Sequence, residues 1–438
     1  MPILNREEAK QVLDKAISFS KADNCSISLG GREEGNIRYA RNTVSTSGET
    51  SNINLVISSS FGKRSGTVTT NDLSDESLQS AVKRSEELAK LSPENPEFME
   101  PLGPSEFPES KTFFESTKNI TPDYRATAAI NSINPAKKSN LIAAGFLEDG
   151  VYFSSIRNSK GLFAYSDSSY LDFTVTMRTE DGTGSGWVTR DFNDVNKLDT
   201  ASASAIAIEK AVKSREAKAL EPGKYTVILE PAASVGLIEN MIYGLNARSA
   251  DEGRSFMSKK DGGNKIGEQL LDERINIYTD PFNKEIPSRT WNGSGLEQKK
   301  QNLIEKGVVK NLFYSRFWAK EKGVDPNPYP SGFIIEGTDT SLQDLIKSTK
   351  KGILVTRTWY IRTVDPQTLL YTGLTRDGTF YVENGEIQYP VKNFRFNESP
   401  IIMLNNLEQL GKSERINGNL VPPMKINDFT FSSLSDAI

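Results

Sequence analysis

The N-terminal segment constrains the fold most, because strand-like runs lie between two amphipathic helical patterns. Asn5 is a good N-cap for the first helix, and the second helix is predicted over residues 75–90. Gly30-Gly31 is expected to form a turn between two of the strands that separate these helices. Apolar and β-branched residues predict short strands at 26–29, 36–40, 52–58 and 65–70. This order predicts a compact α+β unit over residues 1–92.

A proline-rich stretch separates this unit from the rest of the chain. Five prolines fall between residues 92 and 108, and they predict an extended connection. Farther on, residues 141–189 are largely strand-like, and residues 181–186 (DGTGSG) predict a glycine-rich hairpin turn. An alanine-rich helix over residues 199–218 follows. We therefore predict a central β-rich segment with helices over residues 93–220.

A third unit, residues 221–438, is predicted to begin at Glu221-Pro222-Gly223. A buried-type strand at 225–229 runs directly into a helix opened by Pro231, a favoured first helical residue. The fold class that follows is α+β. An N-terminal α/β sandwich-like domain would precede a mostly antiparallel β C-terminal domain with covering helices.

Details within the third unit are also predicted. Asp377-Gly378 and Asn384-Gly385 each indicate a β-hairpin, because these dipeptides favour the positive φ values of tight turns. Covering helices are expected over residues 341–351 and 401–412. The adjacent Trp359-Tyr360 pair lies in a strand-like run and is expected to belong to the core.

Composition restricts the chemistry more than any motif does, because the 438 residues include no histidine. Triads or dyads that use histidine as a base, and histidine-based zinc helices, are therefore excluded. Cys25 is the single cysteine and cannot build a thiolate zinc site alone; it is expected to pack in an apolar strand. Any catalysis would use carboxylate, lysine, tyrosine or serine groups, or a borrowed metal.

The charge pattern also limits the partners. A net charge of −4 and the lack of a basic cluster with interleaved aromatic residues argue against nucleic acid as a partner. Apolar runs are too short to span a bilayer, and the charged first ten residues do not resemble a signal peptide. We therefore expect a cytoplasmic protein with no membrane partner.

The junction at Glu230-Pro231 is the first candidate site. Glu230 could cap the helix that follows, and this is the favoured interpretation. Alternatively, Glu230, Glu239 and Asp251 could converge, and oxygen ligands of this kind hold Mg²⁺ or Ca²⁺.

Two further polar clusters are candidates for substrate binding. Arg248 and Arg254 could clamp a peptide carboxylate, although pairing with Asp251 and Glu252 is favoured. Arg289 and Trp291, in the segment RTWNG, could form the lip of a pocket or only a turn.

Several stretches resemble one known family. They are IRYARNT at 37–43, the segment 72–93, DEGRSF at 251–256, the run 372–400 and VPPMKINDFTF at 421–431. On these stretches, which are spread over nearly the whole chain, the protein is identified as a member of the TldD/PmbA family. Members of this family have been described as modulators of DNA gyrase and as metallopeptidases.

The resemblance implies a particular kind of subunit. TldD-like members carry an HExxxH zinc helix and a downstream cysteine, whereas PmbA-like members, also called TldE, lack these ligands. In this chain Pro231 and Gly236 stand where the two histidines would be, and the second half contains no cysteine. The resemblance thus implies a PmbA/TldE-like subunit without a metal of its own, non-catalytic when alone. Zinc would come from a TldD-like partner.

The implied substrate is an unfolded or ribosomally made peptide, bound by strand addition to a sheet edge. A homodimer is the alternative assembly when no TldD-like partner is present. Two other functions stay open at this point. One is a stand-alone peptide hydrolase with an oxygen-only metal site around Glu230, Glu239 and Asp251. The other is a non-catalytic peptide-binding or regulatory module that needs no partner.

Overall fold

The structure, a computed structural model that describes residues 3–435, is built on one sheet in its N-terminal half and two in its C-terminal half. The helices of the N-terminal half are α1 (Arg6–Ser18), α2 (Asp75–Leu91), α3 (Glu115–Lys118), α4 (Pro122–Lys138) and α5 (Thr200–Lys213), with a 3₁₀ turn at Val195–Lys197. Its strands are β1 (Asn24–Ala40), β2 (Thr43–Phe61), β3 (Arg64–Thr70), β4 (Leu141–Asn158), β5 (Phe163–Thr179) and β6 (Ser185–Phe192).

The C-terminal half has short helices and many short strands. Its helices are α6 (Pro231–Tyr243), α7 (Ala247–Asp251), α8 (Arg316–Lys322), α9 (Leu342–Lys347) and α10 (Pro400–Asn405). Its strands are β7 (Gly223–Leu229), β8 (Ile277–Thr279), β9 (Gln301–Glu305), β10 (Val308–Val309), β11 (Ile334–Ile335), β12 (Lys351–Val355), β13 (Thr358–Asp365), β14 (Leu370–Thr375), β15 (Thr379–Glu383), β16 (Glu386–Pro390), β17 (Phe394–Glu398), β18 (Leu407–Leu410), β19 (Glu414–Ile416), β20 (Asn419–Val421) and β21 (Met424–Leu434). The predicted α+β class is confirmed.

The first sheet has the order β3-β2-β1-β4-β5-β6 and is antiparallel throughout. Because β1 pairs with β4 along most of its length, the segments predicted as separate units over 1–92 and 93–220 share this sheet. The division of the chain at these boundaries stays a prediction.

In the part of the chain that the structure describes, helices cover one face of this sheet and not the other. α1 and α2 pack over Ile27, Ile57 and Phe153, and α4 and α5 pack over a second core that includes Phe173 and Val175. Side chains alternate between faces along a strand. The opposite face, called here the uncovered face, therefore carries mainly polar side chains, and part of it contacts the C-terminal half.

Several local predictions are confirmed in the N-terminal half. Asn5 forms a capping box with Glu8, and the predicted helix at 75–90 is α2. The glycine-rich turn at 181–186 joins β5 to β6, and Cys25 is buried. The turn expected at Gly30-Gly31 is wrong, because β1 continues through both glycines as a single strand held between β2 and β4.

The C-terminal half contains a nine-stranded sheet with the order β13-β14-β17-β21-β7-β12-β15-β16, in which β18 also pairs with β21. A six-stranded sheet has the order β10-β9-β8-β11-β20-β19. Most pairs are antiparallel, and the β7–β12 and β11–β20 pairs are parallel. The largest hydrophobic core surrounds α6 and lies between these sheets.

The β7-to-α6 junction and the Asn384-Gly385 hairpin are confirmed. The hairpin expected at Asp377-Gly378 is wrong, because β14 pairs with β13 and β17, whereas β15 pairs with β12 and β16. The covering helix at 401–412 ends at Asn405, and β18 takes up residues that follow. Trp359 and Tyr360 are exposed on the edge strand β13 and do not belong to the core.

Candidate functional site

The strand-to-helix junction at Glu230 lies in a cleft between the two halves of the protein. Its cavity, of about 370 Å³, is bounded by α5 and β6 from one half and by the start of α6, α9 and β19 from the other. The cleft's floor is apolar, with Leu354, Phe380 and Ile346. We call this cavity the interdomain cleft.

Charged side chains surround this apolar floor. Lys210 Nζ lies 2.6 Å from Glu230 Oε2, and both side chains are largely buried. Arg415 reaches across from β19 to Asp191 on β6, at 2.8 Å. The cleft therefore combines an apolar surface with paired charges.

Glu230 does not cap α6 as expected. It occupies the N-cap position, but its side chain makes no capping hydrogen bond, because the carboxylate turns to Lys210. The first turn starts with Pro231, which has no N–H to satisfy. The capping interpretation of Glu230 is therefore wrong.

A second cluster adjoins the cleft. The Arg357 guanidinium lies 3.9 Å from the ring centre of Trp187 and 4.7 Å from that of Trp359. Its Nη1 donates to the buried Asp377 carboxylate at 2.6 Å, and Ser185 donates to the same carboxylate at 2.6 Å. These contacts fasten β6 to the nine-stranded sheet and fix one wall of the cleft.

The structure separates the other predicted carboxylates. Asp251 accepts hydrogen bonds from Asn264 and from the Trp318 indole, both at 2.8 Å. Glu239 is half-buried on α6, and burial raises its pKa. Within residues 3–435 no group of three or more Asp, Glu, Cys or His side chains is placed to hold one metal ion. The predicted convergence of Glu230, Glu239 and Asp251 is therefore wrong.

Arg248 and Arg254 both pair with Glu252, which confirms one part of the favoured interpretation, whereas the expected pairing with Asp251 is wrong because Asp251 pairs with Lys322. Arg248 Nε lies 2.9 Å from the Glu252 carboxylate, and Arg248 Nη1 lies 2.9 Å from that of Glu97. Arg254 donates to the other oxygen of Glu252. A role for either arginine in binding a peptide carboxylate stays a prediction.

Arg289 and Trp291 lie together on the uncovered face of the first sheet. The Arg289 guanidinium lies 4.2 Å from the Trp291 ring centre, and its Nε donates to the Trp291 carbonyl at 2.7 Å. Both residues line a cavity of about 530 Å³, so the geometry favours a pocket lip over a simple turn.

Lys210, Arg357 and Asp377 were not predicted from the sequence as residues of this site. Asp377 was assigned to a hairpin turn because of the Asp-Gly dipeptide, and its φ of 57° is indeed positive. Lys210 sits in an alanine-rich helix like any surface lysine, and its partner is twenty residues away. Local patterns hold no information about such a pairing.

Three family models match consecutive parts of the chain. The model of PmbA/TldA metallopeptidase domain 1 matches residues 25–89, that of the central domain matches residues 121–215, and that of the C-terminal domain matches residues 222–433. The chain belongs to the TldD/PmbA family. The match confirms the resemblance seen in the sequence.

The relatives are distant. An uncharacterized protein of Methanocaldococcus jannaschii is 26% identical over 293 residues, which are 62% of this chain and 66% of that protein. For this and two further curated relatives, the matched stretch covers between 46% and 66% of the relative's length.

Two crystal structures have a similar fold. TldE from Thermococcus kodakarensis is 18% identical, with a TM-score of 0.86, over 97% of this chain and 99% of that one. A protein of Thermotoga maritima described as a modulator of a DNA gyrase is also 18% identical, with a TM-score of 0.86, over 97% of this chain and 100% of that one. At this identity the likeness concerns the fold alone.

No helix within residues 3–435 has the length and apolar character needed to cross a membrane.

Proposed function

We propose that this chain is a PmbA/TldE-like subunit that helps to hold an unfolded peptide beside a zinc-bearing TldD-like partner. The N-terminal half of α6 carries this proposal. The resemblance places the metal-binding histidines of TldD-like members at Pro231 and Gly236, and neither residue has a side-chain donor for a metal.

The surroundings of α6 do not fit a zinc site. Zinc needs four nitrogen, sulfur or oxygen ligands in a tetrahedral arrangement. At Gly236 a Cβ atom would lie 2.9 Å from Ile361 Cδ1, so a side chain there would require the end of the Ile361 side chain on β13 to shift. The nearby Glu230 carboxylate is held by Lys210. These residues therefore do not fit a zinc ion in this chain.

Peptide binding is supported by the form of the interdomain cleft. An extended peptide presents apolar side chains and backbone polar groups together. The apolar floor at Leu354 and Phe380 suits the apolar side chains of a peptide. The charged side chains around the floor can exchange hydrogen bonds with the peptide backbone. Residues 43–54 of β2 also pair with β1 on one side only, since β3 begins its pairing at Leu55. That exposed edge supports the predicted strand addition.

The experiment compares this chain alone, a TldD-like subunit alone, and their mixture, using a fluorogenic unstructured peptide. We expect no turnover from the chain alone, and zinc-chelator-sensitive cleavage by the mixture that exceeds that of the TldD-like subunit. Absence of a complex by sedimentation at micromolar concentrations would refute the proposal.

A matched pair of variants tests the cleft itself. Ile206 and Val212 are both exposed on α5, but only Ile206 lines the cleft. Ile206→Glu should weaken peptide binding several-fold, because it places a charge beside the apolar floor, whereas Val212→Glu should leave binding unchanged. Equal effects of the two substitutions would locate the peptide elsewhere.

The same assay separates the alternatives. A stand-alone hydrolase with an oxygen-only metal site predicts metal-dependent cleavage by the chain alone, abolished by Glu239→Gln. A peptide-binding module without a partner predicts saturable peptide binding that a TldD-like subunit does not change. The separation of Glu230, Glu239 and Asp251 gives the first alternative no support.

A further inference from the structure

The cavity beside Arg289 differs from the interdomain cleft in its charge. It is lined by two arginines, Arg32 and Arg289, and in the described part of the chain no Asp or Glu lines it. Arg32 is paired with the adjacent Glu34 at 3.1 Å, so Arg289 is the cation of this cavity that can attract an anion, on a chain with a net charge of −4.

The shape of the cavity follows from the register of the sheet. Asn52, Arg32 and Tyr152 lie opposite one another on β2, β1 and β4. In the neighbouring row Asn54, Gly30 and Ser154 are aligned in the same way. Because Gly30 has no side chain, the middle of this second row is a depression between two polar side chains.

Arg289 is held rigidly at this depression. Trp291 is 1% exposed and packs on Ile156, Leu162 and Ala164, which anchors the loop to the sheet. Arg289 stacks on Trp291, and its Nε donates a hydrogen bond to the Trp291 carbonyl at 2.7 Å. A stacked, planar guanidinium is pre-organised for a ligand, since little side-chain entropy is lost on binding.

The Nη nitrogens of Arg289 are available to a ligand. Within residues 3–435 no carboxylate lies within the 4.0 Å ion-pair distance of this guanidinium, although the chain contains 57 acidic residues. Burial lowers the pKa of Arg289, as expected for a partly desolvated guanidinium with no facing carboxylate. An anionic ligand would supply that compensation.

We propose that this cavity binds a carboxylate of the peptide substrate, with Arg289 as the principal ligand-binding residue. Carboxylates accept two parallel N–H bonds from a guanidinium, and Tyr152, Ser154 and Asn54 add polar groups around the same depression. The carboxylate belongs either to an Asp or Glu side chain or to a free C-terminus. Naming a peptide as its source rests on the proposed function, whereas the anion site itself does not.

The first test uses small probes and the whole chain, without a partner. N-acetylglutamate amide and N-acetylglutamine amide are titrated while the NMR line widths of each probe are followed. We expect the glutamate probe to bind about tenfold more tightly, with an affinity that falls as salt rises. Equal affinities for the two probes would overturn the proposal.

Three variants assign the effect to Arg289. Arg289→Met keeps the stem that stacks on Trp291 and should abolish the preference for glutamate. Arg289→Lys keeps the charge and should retain part of the preference for glutamate. Arg84→Met removes an exposed arginine of α2, outside the cavity, and should change nothing. A preference that survives in Arg289→Met, in protein with an unchanged melting temperature, would overturn the proposal.

Peptide probes identify the source of the carboxylate. One unstructured peptide has a central Glu and an amidated C-terminus, a second has Gln and a free C-terminus, and a third has Gln and an amidated C-terminus. If the first or the second peptide binds more tightly than the third, and Arg289→Met removes the difference, that peptide identifies the source of the carboxylate. If neither binds more tightly than the third, the assignment of the carboxylate to a peptide is wrong. Because no TldD-like subunit is present, failure of the two-subunit proposal leaves these results intact.

Discussion

Lys210 Nζ lies 2.6 Å from Glu230 Oε2, and both side chains are only 15% exposed. Lys210 belongs to α5, which packs on the first sheet, whereas Glu230 immediately precedes α6 of the C-terminal half. This ion pair therefore joins the two halves at the edge of the interdomain cleft.

Removing either partner should destabilise the protein, because the other charge would be left largely buried. Lys210→Met is expected to lower the free energy of unfolding by about 1–3 kcal/mol. The double variant Lys210→Met/Glu230→Gln should recover part of this loss, since no unpaired charge remains. Urea unfolding of both variants measures the difference. A double variant that is no more stable than Lys210→Met would show that the pair acts through packing alone.

Gly186 allows α5 to approach β6 and thereby places Lys210. A Cβ atom at Gly186 would lie 2.1 Å from the Ala207 carbonyl oxygen, a backbone atom of α5. Gly186→Ala should therefore push the helix away from the sheet and cost more than about 2 kcal/mol. Gly48→Ala, on the exposed part of β2, meets no atom within 4 Å and should be close to neutral. Thermal unfolding of the two variants provides the comparison.

Arg125 forms a buried bidentate ion pair with Asp149, at 2.7 and 2.9 Å. The hydrogen bonds to the Asp149 carboxylate raise the pKa of Arg125. Arg125→Met should lower the free energy of unfolding by about 3–5 kcal/mol, because Asp149 would remain buried without a partner. Arg125→Met/Asp149→Leu should be considerably more stable than the single variant. Chemical denaturation of both tests this. Similar stabilities would indicate that water solvates Asp149.

Glu239 should make stability depend on pH in a defined direction. Burial places the pKa of Glu239 above its unfolded value, so the folded state binds the proton more tightly. The resulting penalty on folding is absent below the unfolded pKa and grows as the pH rises through the folded pKa. Glu239→Gln should thus be more stable than the native protein at pH 7, by less than about 1 kcal/mol for this half-exposed group. Melting temperatures from pH 4 to pH 8 should show the difference shrinking towards acid.

The elements that the sequence predicts well depend on neighbouring residues. α1 begins after Asn5 because the Asn5 side chain satisfies backbone N–H groups of the first turn. α6 begins at Pro231 because proline has the right φ and no N–H to leave unpaired. Strand lengths were predicted less well, since β1 passes through Gly30-Gly31 only because β2 and β4 pair with it on both sides.

Turn dipeptides report a local backbone conformation but not the partner strand. Asp377 has the positive φ that the Asp-Gly pair predicts, yet its neighbours pair with different strands and its carboxylate binds Arg357. Similarly, Trp359 and Tyr360 lie in a strand as expected, but Tyr360 has a φ of 56° where the pairing of β13 with β14 is irregular, and this edge strand leaves both side chains exposed.

The amino-acid sequence by itself determined which chemistry is excluded, where the helices begin and which family the chain resembles. These depend on residue types and on short-range contacts. Only the tertiary structure decided that Lys210 meets Glu230, that the three candidate carboxylates stay apart and that, among residues 3–435, Arg289 has no acidic partner beside a depression at Gly30. Each of these depends on contacts between residues distant in the chain, which are set by strand pairing and helix packing rather than by local pattern.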